Sequence, residues 1–315
     1  MTVSMKNYFT LLGLPCRKEL RDRLDCAMRV LDRPTEEEYA RFSPNWLGDC
    51  PMRMEDGRCS IHAELGEEVL SDVCRLYPRG VRLWAGRYEC SASGSCEKTL
   101  ELLWDEEEVM TFGEEELDVT PPPHPGSPSA AGGLPLSEEL RFALIGVMQD
   151  RSRRVGDRIL NMRPLLGLGE HEPSGDGLTA AVRALEYYAE RSGSIREIGS
   201  EIAERYRRDP DLFHGDAEAF DRRFPEWERF LEQMLVNHMF FTQFPWIGVG
   251  AEEALTSLAV IYGLLRVLAV GSGARERDGV VDICAAAFRL IAHTPFERSV
   301  PAALGGLDGF SLTTL

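Results

Sequence analysis

The sequence lacks a recognisable secretion signal. A signal peptide begins with basic residues, continues with an apolar stretch of about 7 to 15 residues and ends at a small-residue cleavage site. Here the apolar part of the first segment, residues 8–15, is short, is interrupted by Thr10 and Gly13, and is followed at once by charged residues. We therefore expect a cytoplasmic protein, in a reducing compartment where persistent disulfides are rare.

Long apolar runs are missing as well. The nearest approach to one, residues 254–265, contains Thr256, Ser257 and Tyr262 and ends at Arg266. A membrane-spanning helix needs roughly 18 consecutive apolar residues, so we predict a core helix for this segment and no membrane association.

Positive charge is scarce. The chain has 35 Lys and Arg against 52 Asp and Glu, which gives a formal net charge of −17. Because binding to nucleic acid requires Lys and Arg to neutralise the phosphates, this balance argues against DNA and RNA as partners. An acidic surface favours basic partners such as lysine-bearing protein segments, although acidity is also a common route to solubility.

A glycine-rich nucleotide-binding turn is also absent. Such a turn follows an apolar strand and opens a helix. The glycine-bearing stretches at 167–177, 248–250 and 271–279 instead follow or link helical patterns. The sequence thus excludes a Rossmann sheet, and a nucleotide cofactor would need a pocket of another architecture.

Helical periodicity organises most of the chain. We predict a mainly α-helical protein with a cysteine-rich, metal- or cluster-binding lobe at 1–104, packed on an all-helical lobe at 137–315. Between them, the acidic and Pro/Gly-rich segment 105–136 is typical of a linker or mobile loop. In the first lobe we predict helices at 17–31, from Thr35 onward and at 67–76, and a short hairpin across 80–90. In the second lobe we predict helices from residue 138, at 178–191, 195–208, 217–241, 252–270 and 278–293.

Five of the 8 cysteines are concentrated between residues 50 and 96, namely Cys50, Cys59, Cys74, Cys90 and Cys96. Such clusters arise from a disulfide framework, from a metal or iron–sulfur site, or from chance burial of small apolar side chains. The closely spaced C-x2-C pairs of zinc knuckles and ferredoxins do not occur here. Spacing alone leaves a metal site and buried thiols both open.

The residues around these cysteines form a longer pattern. A C-P-x-x-x-E-D-G-x-C block spans 50–59, a C-x-x-Y-P-R block spans 74–79, and Cys96 follows the acidic Glu89. Far downstream, residues 236–245 read V-N-x-x-F-x-x-x-F-P. Together these motifs resemble the flagellin lysine N-methylase family, most strongly over residues 39–103 and 227–293.

The resemblance implies methyl transfer from S-adenosylmethionine to lysine side chains of flagellin by a mainly helical protein with a [4Fe–4S] cluster. It implies cluster ligands at Cys50, Cys59, Cys74 and Cys96, with Cys90 in reserve because serine is common at that position in the family. The family's usual N-terminal C-x(3)-C-x(3)-CC block does not precede residues 6–12 in this sequence. Four thiolates are enough for one cluster or for one zinc ion.

Other polar residues are candidates for binding or catalysis. Arg75 and Arg79 flank Cys74 in positions to stabilise thiolate or cluster charge, or to bind the carboxylate of S-adenosylmethionine; salt bridges with Glu67 or Glu68 are an equal alternative. His238 and His293 are candidate bases, because lysine must lose a proton before it attacks a methyl sulfonium. Each is more often a core or helix-capping residue, so the catalytic residue stays unassigned.

Three functions and one structural alternative remain open at this stage. The first function is an iron–sulfur-containing protein lysine N-methyltransferase. The second is a tailoring enzyme in which the same scaffold acts on a small molecule or peptide. The third is a non-enzymatic partner-binding protein that zinc or a cluster stabilises. The structural alternative is a domain with buried thiols and no metal.

Overall fold

The computed structural model describes residues 2–43, 50–56, 58–116, 126–129, 133–169, 175–307, 310–312 and 315. Within these residues 14 α-helices account for most of the regular structure. The strands form a three-stranded sheet and a hairpin, both antiparallel. The prediction of a mainly helical fold is confirmed, and the described strands do not form a parallel Rossmann sheet.

The chain divides into two compact units, Met1–Tyr77 and Pro78–Leu315. Residues 78–104, which the sequence pattern assigned to the cysteine-rich lobe, lie in the second unit. Three of the four predicted cluster ligands therefore belong to the first unit, and Cys96 belongs to the second together with Cys90. His124 and the rest of 117–125, within the predicted linker, lie outside the described residues.

The first unit combines short helices with a small sheet. Its elements are β1 (Thr2–Val3), α1 (Met5–Gly13), α2 (Lys18–Ala27), β2 (Met28–Val30), β3 (Ala40–Phe42), α3 (Ser60–Leu65) and α4 (Asp72–Leu76). Strand β3 lies between β1 and β2. Leu11, Leu24, Met52 and Ile61 form the centre of a separate small core, so the segment that carries Cys50 and Cys59 is anchored by its own apolar side chains.

Three helix predictions in the first unit are wrong in whole or in part. The helix expected over 17–31 ends at Ala27, because Met28–Val30 pairs with β3 as strand β2. The capping hydrogen bond expected at Thr35 does form, since Glu38 N donates to Thr35 Oγ1 at 2.9 Å. No helix follows it, because Ala40–Phe42 pairs with two strands and this tertiary pairing overrides the local helix signal. The predicted helix 67–76 is interrupted at Leu70 and Ser71, where the backbone is extended and Leu70 packs against the core.

The second unit begins with a hairpin and continues as a helical array. Its elements are β4 (Arg79–Trp84), β5 (Arg87–Ala92), α5 (Glu97–Asp105), α6 (Glu138–Met148), α7 (Val155–Leu160), α8 (Gly177–Ala189), α9 (Arg196–Arg208), α10 (Asp211–Arg223), α11 (Trp227–Thr242), α12 (Ala251–Gly271), α13 (Arg277–His293) and α14 (Phe296–Leu304). The predicted hairpin is confirmed. Its two turn residues, Ala85 and Gly86, have φ of 47° and 84°, as a two-residue turn between twisted strands requires.

Five of the six helices predicted for the second unit are confirmed, the sixth is divided in two, and α5, α7 and α14 were not predicted. The single helix expected over 217–241 is two helices, α10 and α11. Pro225 lies between them, and its ring and missing N–H prevent a continuous helix. The break allows α10 to change direction, so that Phe220 and Phe224 stack against Trp227 and Phe230 at the start of α11.

Helix α12 is the centre of the second unit. By length and composition it is apolar enough to cross a membrane, despite the interruptions noted in the sequence, but 89% of its apolar window is buried within the protein. The bent pair α13 and α14, at 105°, passes the same test only if the two helices are taken as one span. The burial of α12 agrees with the predicted core helix.

Candidate functional site

Three of the predicted cluster ligands lie on neighbouring segments of the first unit. Cys59 immediately precedes α3, Cys74 lies in α4, and Cys50 begins a turn in which Arg53 N donates to its carbonyl at 3.0 Å. The buried side chain of Met52 fixes this turn, and its carbonyl accepts from Ser60 N at 2.8 Å. These contacts position the two ends of the 50–59 block relative to α3.

The Cys74 thiol lies within electrostatic range of Cys50 and Cys59. Removal of water from the Cys74 thiol raises its pKa above the ordinary value, and the nearby charges of Cys50 and Cys59 raise it further, while a hydrogen bond with Ser71 opposes these effects. All eight cysteines occur as thiols. Cys50, Cys59 and Cys74 are therefore close enough for electrostatic interaction without being covalently linked.

The donor set agrees with a thiolate-bound cation or cluster. Thiolates that repel one another are stabilised when positive charge binds among them, and thiolates are ligands of both zinc and iron–sulfur clusters. In the part of the chain that the structure describes, no group of three or more His, Cys, Asp or Glu side chains already has metal-binding geometry. The ligand set Cys50, Cys59, Cys74 and Cys96 thus stays a prediction.

The remaining predicted cysteines lie in the second unit. Cys96 precedes α5, and its backbone N donates to Ser93 O at 3.3 Å. Cys90 lies in β5 opposite Val81, where burial raises the pKa of its thiol and the charge of Arg79 lowers it. Cys284 is buried in α13, and burial raises the pKa of its thiol, as expected for a structural thiol.

The two predicted arginines lie in different environments. Arg75 is half-buried in α4, one residue after Cys74. Arg79 is exposed at the start of β4, and its charge acts on the thiol of Cys90. Within the second unit, the charge of Arg79 therefore favours the thiolate of Cys90, the reserve ligand. The predicted role of both arginines in binding a carboxylate is not tested by these contacts.

A polar cavity of about 140 Å³ lies within the second unit. We call it the hairpin cavity, because its wall includes Arg82 of β4 and residues that follow β5. The rest of the wall comes from α11, α13 and α14. The polar and aromatic side chains of the wall include Arg82, Ser93, Asn237, His238, Phe288 and Glu297.

The V-N-x-x-F motif builds one wall of the hairpin cavity. Asn237 Nδ2 donates to Ala92 O at 2.9 Å and Gln243 Nε2 donates to Leu83 O at 3.1 Å, so both strands of the hairpin are attached to α11. Gly94 allows α13 to approach, since a Cβ at this position would lie 2.9 Å from Phe288 Cγ. The hairpin belongs to the motif-bearing segment 39–103, and α11 and α13 belong to the segment 227–293. The two segments therefore meet at this cavity.

His238, a candidate base from the sequence, lines the hairpin cavity. It is 8% exposed, and burial, helped by the charge of Arg82, lowers its pKa from 6.5 to about 4. The imidazole is consequently neutral near pH 7. His293 does not line the cavity; burial and the charge of Arg289 lower its pKa.

Sequence reasoning missed two charged residues of the hairpin cavity. Arg82 lies over the ring of Phe241 at 4.8 Å, and its Nε is buried without a hydrogen-bond partner among the described residues. Burial lowers the pKa of Arg82 and raises that of Glu297, while each charge acts favourably on the other. Neither residue belongs to a recognisable motif, and they are far apart in the chain, so only the fold reveals the pair.

A second buried charge cluster in this unit is structural. Glu232 of α11 is fully buried and accepts from Arg158 at 2.7 Å and from Arg151 at 2.9 Å. Val155 N at the start of α7 donates to Glu228, which is also in α11, at 2.6 Å. These bonds satisfy the charge of Glu232 and connect α11 with α7, so the cluster explains stability and needs no ligand.

Comparison with known proteins finds a family match within the helical array. Residues 177–297 match the family model described as the FliB lysine N-methylase C-terminal domain. The chain is also 30% identical over 71 residues to the flagellar biosynthetic protein FliU of Salmonella muenchen, a match that covers 22% of this chain and 42% of that protein. No solved structure matches.

The matched region runs from α8 to the first turn of α14. It includes four of the six named residues of the hairpin cavity, namely Asn237, His238, Phe288 and Glu297. The chain spans less than half the length of the FliU protein that it matches. The resemblance to the flagellin lysine N-methylase family is confirmed: residues 177–297 correspond to the C-terminal domain of FliB lysine N-methylases.

Proposed function

We propose that this protein is an S-adenosylmethionine-dependent lysine N-methyltransferase whose substrate is flagellin or a flagellin-related protein. The observation that carries the proposal is the match of residues 177–297 to the FliB lysine N-methylase C-terminal domain. The hairpin cavity supports it, because residues of both motif-bearing segments line that cavity and Arg82 Nε is buried there without a hydrogen-bond partner among the described residues. The cytoplasm, where cysteines stay reduced, is the proposed location.

The chemical step in this proposal is a nucleophilic substitution. The lysine Nζ lone pair forms a bond to the methyl carbon, the bond from that carbon to sulfur breaks, and S-adenosylhomocysteine leaves. The ammonium form of lysine must first give up a proton, and solvent water takes up that proton in this proposal. Since the pKa of His238 is about 4, its imidazole is too weak a base to hold that proton near neutral pH, and we assign it a neutral, polar role.

The proposal includes a [4Fe–4S] cluster, with zinc as the alternative, at Cys50, Cys59, Cys74 and Cys96. The electrostatic effect of Cys50 and Cys59 on the Cys74 thiol supports this part. When bound, a cluster supplies a redox-active or Lewis-acidic centre, whereas zinc supplies structural stability. The protein's own contribution is to hold the thiols near one another on the 50–59 turn and on α4.

A methyl-transfer assay tests the proposed function. Anaerobically purified protein is incubated with flagellin and S-adenosylmethionine, and flagellin peptides are analysed by mass spectrometry. We expect methyl groups on lysine side chains, and none on flagellin whose lysines have been acetylated beforehand. Absence of lysine methylation by metal-replete protein would contradict the proposal, and methylation of another residue type would redefine it.

A second candidate is a partner-binding protein in which the metal only stabilises the first unit. The observation that favours it is that the three neighbouring thiols lie in a unit with its own small core. A Cys74→Ser variant distinguishes the two. Lost methyl transfer with retained flagellin binding indicates an enzyme, whereas lost binding without any methyl transfer by the wild type indicates an adaptor. A tailoring enzyme would instead methylate a small molecule or peptide and leave flagellin unmodified.

A further inference from the structure

The hairpin cavity is lined by two side chains of opposite charge, Arg82 and Glu297. Arg82 comes from β4 and Glu297 from the first turn of α14, and each charge favours the other across the cavity. Arg82 Nε is buried and has no hydrogen-bond partner within the described ranges. A buried donor of this kind normally has an acceptor, and a ligand is one source of such an acceptor.

The charges restrict the class of ligand. A simple cation, including a lysine ammonium, would be repelled by Arg82, and a simple anion would be repelled by Glu297. A zwitterion that carries a carboxylate and an ammonium a few ångströms apart satisfies both. His238 is neutral and adds no third charge. The charged groups that line the cavity are therefore one positive group, Arg82, and one negative group, Glu297.

The polar wall and the volume agree with the same ligand. Ser93, Asn237 and Thr242 line the cavity. The Ser93 hydroxyl bonds with Ser95 Oγ at 2.8 Å. The Thr242 hydroxyl donates to His238 O at 2.8 Å, so it can offer a ligand only its oxygen as an acceptor. Asn237 already donates to Ala92 O through Nδ2, which leaves its carbonyl oxygen as an acceptor. The volume of about 140 Å³ is enough for a group of several heavy atoms.

We propose that the hairpin cavity binds the α-amino-acid head group of a ligand, with Arg82 on the carboxylate and Glu297 on the ammonium. This proposal deepens the proposed function, on which the choice of ligand rests: the methionyl end of S-adenosylmethionine is such a head group. The rest of the methyl donor then lies outside the cavity. A free amino acid has the same chemistry, and the experiment below separates the two sources.

Equilibrium binding tests the proposal with Arg82→Gln and Glu297→Gln, each of which removes one charge; Glu297→Gln also keeps the size of the side chain. The controls are Arg87→Gln, at the exposed end of the same hairpin, and Glu190→Gln at the exposed end of α8. The probes in isothermal titration calorimetry are S-adenosylhomocysteine, 5′-methylthioadenosine, which lacks the amino-acid end, and L-methionine. We expect each cavity variant to weaken S-adenosylhomocysteine binding by about tenfold or more, because a charge-assisted hydrogen bond is lost.

In the same proteins 5′-methylthioadenosine should bind with unchanged affinity, and the two control variants should bind every probe as the wild type does. A second test uses only the wild-type protein, so its result does not depend on whether the variants fold. The methyl ester of S-adenosylhomocysteine, which has lost the carboxylate charge, should bind about tenfold or more weakly than the free acid.

The outcomes separate this proposal from the proposed function. Equal binding of S-adenosylhomocysteine to all variants and of its methyl ester to the wild type would overturn the head-group site and leave methyl transfer untouched. Binding of L-methionine that depends on Arg82 and Glu297, without any binding of S-adenosylhomocysteine, would support the head-group site and count against the methyltransferase. Failure of the wild type to bind any probe would overturn the head-group site.

Discussion

At the scale of single residues, the second unit uses buried charge in two different ways. Glu232 is surrounded by arginine donors and has its charge fully matched. Arg82, in contrast, retains a buried Nε without a partner among the described residues, and Glu297 faces a cavity. A matched buried ion pair indicates structure, whereas a buried donor with space beside it indicates a ligand.

His238 should make the stability of the protein pH-dependent in weak acid. Its pKa is about 4 in the folded protein against an ordinary value of 6.5, so the unfolded chain binds the proton more readily between these values. Stability from this group is therefore complete above about pH 6.5 and falls as the pH decreases towards 4. The charged groups that line its cavity are Arg82 and Glu297.

We expect wild-type protein to lose about 2 kcal/mol from His238 between pH 7 and pH 5, measured by urea unfolding. A His238→Gln variant should lack this part of the loss, and His214→Gln, at an exposed position on α10, should retain it. The same pH dependence in wild type and His238→Gln would show that His238 is not buried in its neutral form.

Glu232 should be important for stability but not for ligand binding. Glu232→Gln leaves the guanidinium groups of Arg151 and Arg158 without their counter-charge, so we expect a loss of about 3 kcal/mol in the free energy of unfolding. Glu190→Gln, in an exposed pair with Arg191, should change it by less than about 1 kcal/mol. An equally small effect of both substitutions would contradict the structural role of the buried pair.

At the scale of elements, the hairpin and the helical array are joined by specific close contacts. The alternation of apolar and basic residues predicted the hairpin, and the spacing of apolar residues predicted most helices of the second unit. The helix prediction failed where contacts between distant residues override the local sequence signal. At Thr35 the helix cap forms, but the residues that follow pair as strand β3. The prediction also overlooked Pro225, which divides one periodic segment into α10 and α11.

The approach of α13 to the hairpin should depend on Gly94. An alanine there would place Cβ 2.9 Å from Phe288 Cγ, and the ring is held in the core, so we expect a destabilisation of about 1–3 kcal/mol. Gly113→Ala is the matched control, because its Cβ would meet no atom within 4 Å. Thermal unfolding of both variants checks this; equal melting temperatures would contradict the close approach.

At the scale of the whole molecule, the sequence motifs predict a thiol site that the spacing of the cysteines alone does not. The motif around Cys50, Cys59 and Cys74 predicted three thiols that the structure brings within electrostatic reach, although their spacing matches no zinc knuckle. The pair of Arg82 and Glu297 could not be predicted, because no motif connects a strand near the start of the second unit with a helix near its end. Such pairs depend on how the helices pack.

Metal content should follow the predicted thiols. After anaerobic purification we expect about four irons and four acid-labile sulfides per chain, or one zinc under the alternative. Cys74→Ser should lower that content, and Cys26→Ser, at an exposed thiol of the same unit, should leave it unchanged. Elemental analysis with a visible spectrum checks this; equal metal content in both variants would exclude Cys74 as a ligand.

The most direct measurement of the central claim is the lysine methylation of flagellin in cells that lack this protein. Flagellin is isolated from the deletion strain and from the same strain complemented with wild-type protein, with Cys74→Ser or with Cys26→Ser, and its peptides are analysed by mass spectrometry. We predict that methyl-lysine is lost on deletion and is restored by wild type and Cys26→Ser but not by Cys74→Ser. Methyl-lysine that persists in the deletion strain at the wild-type level would contradict the proposed function.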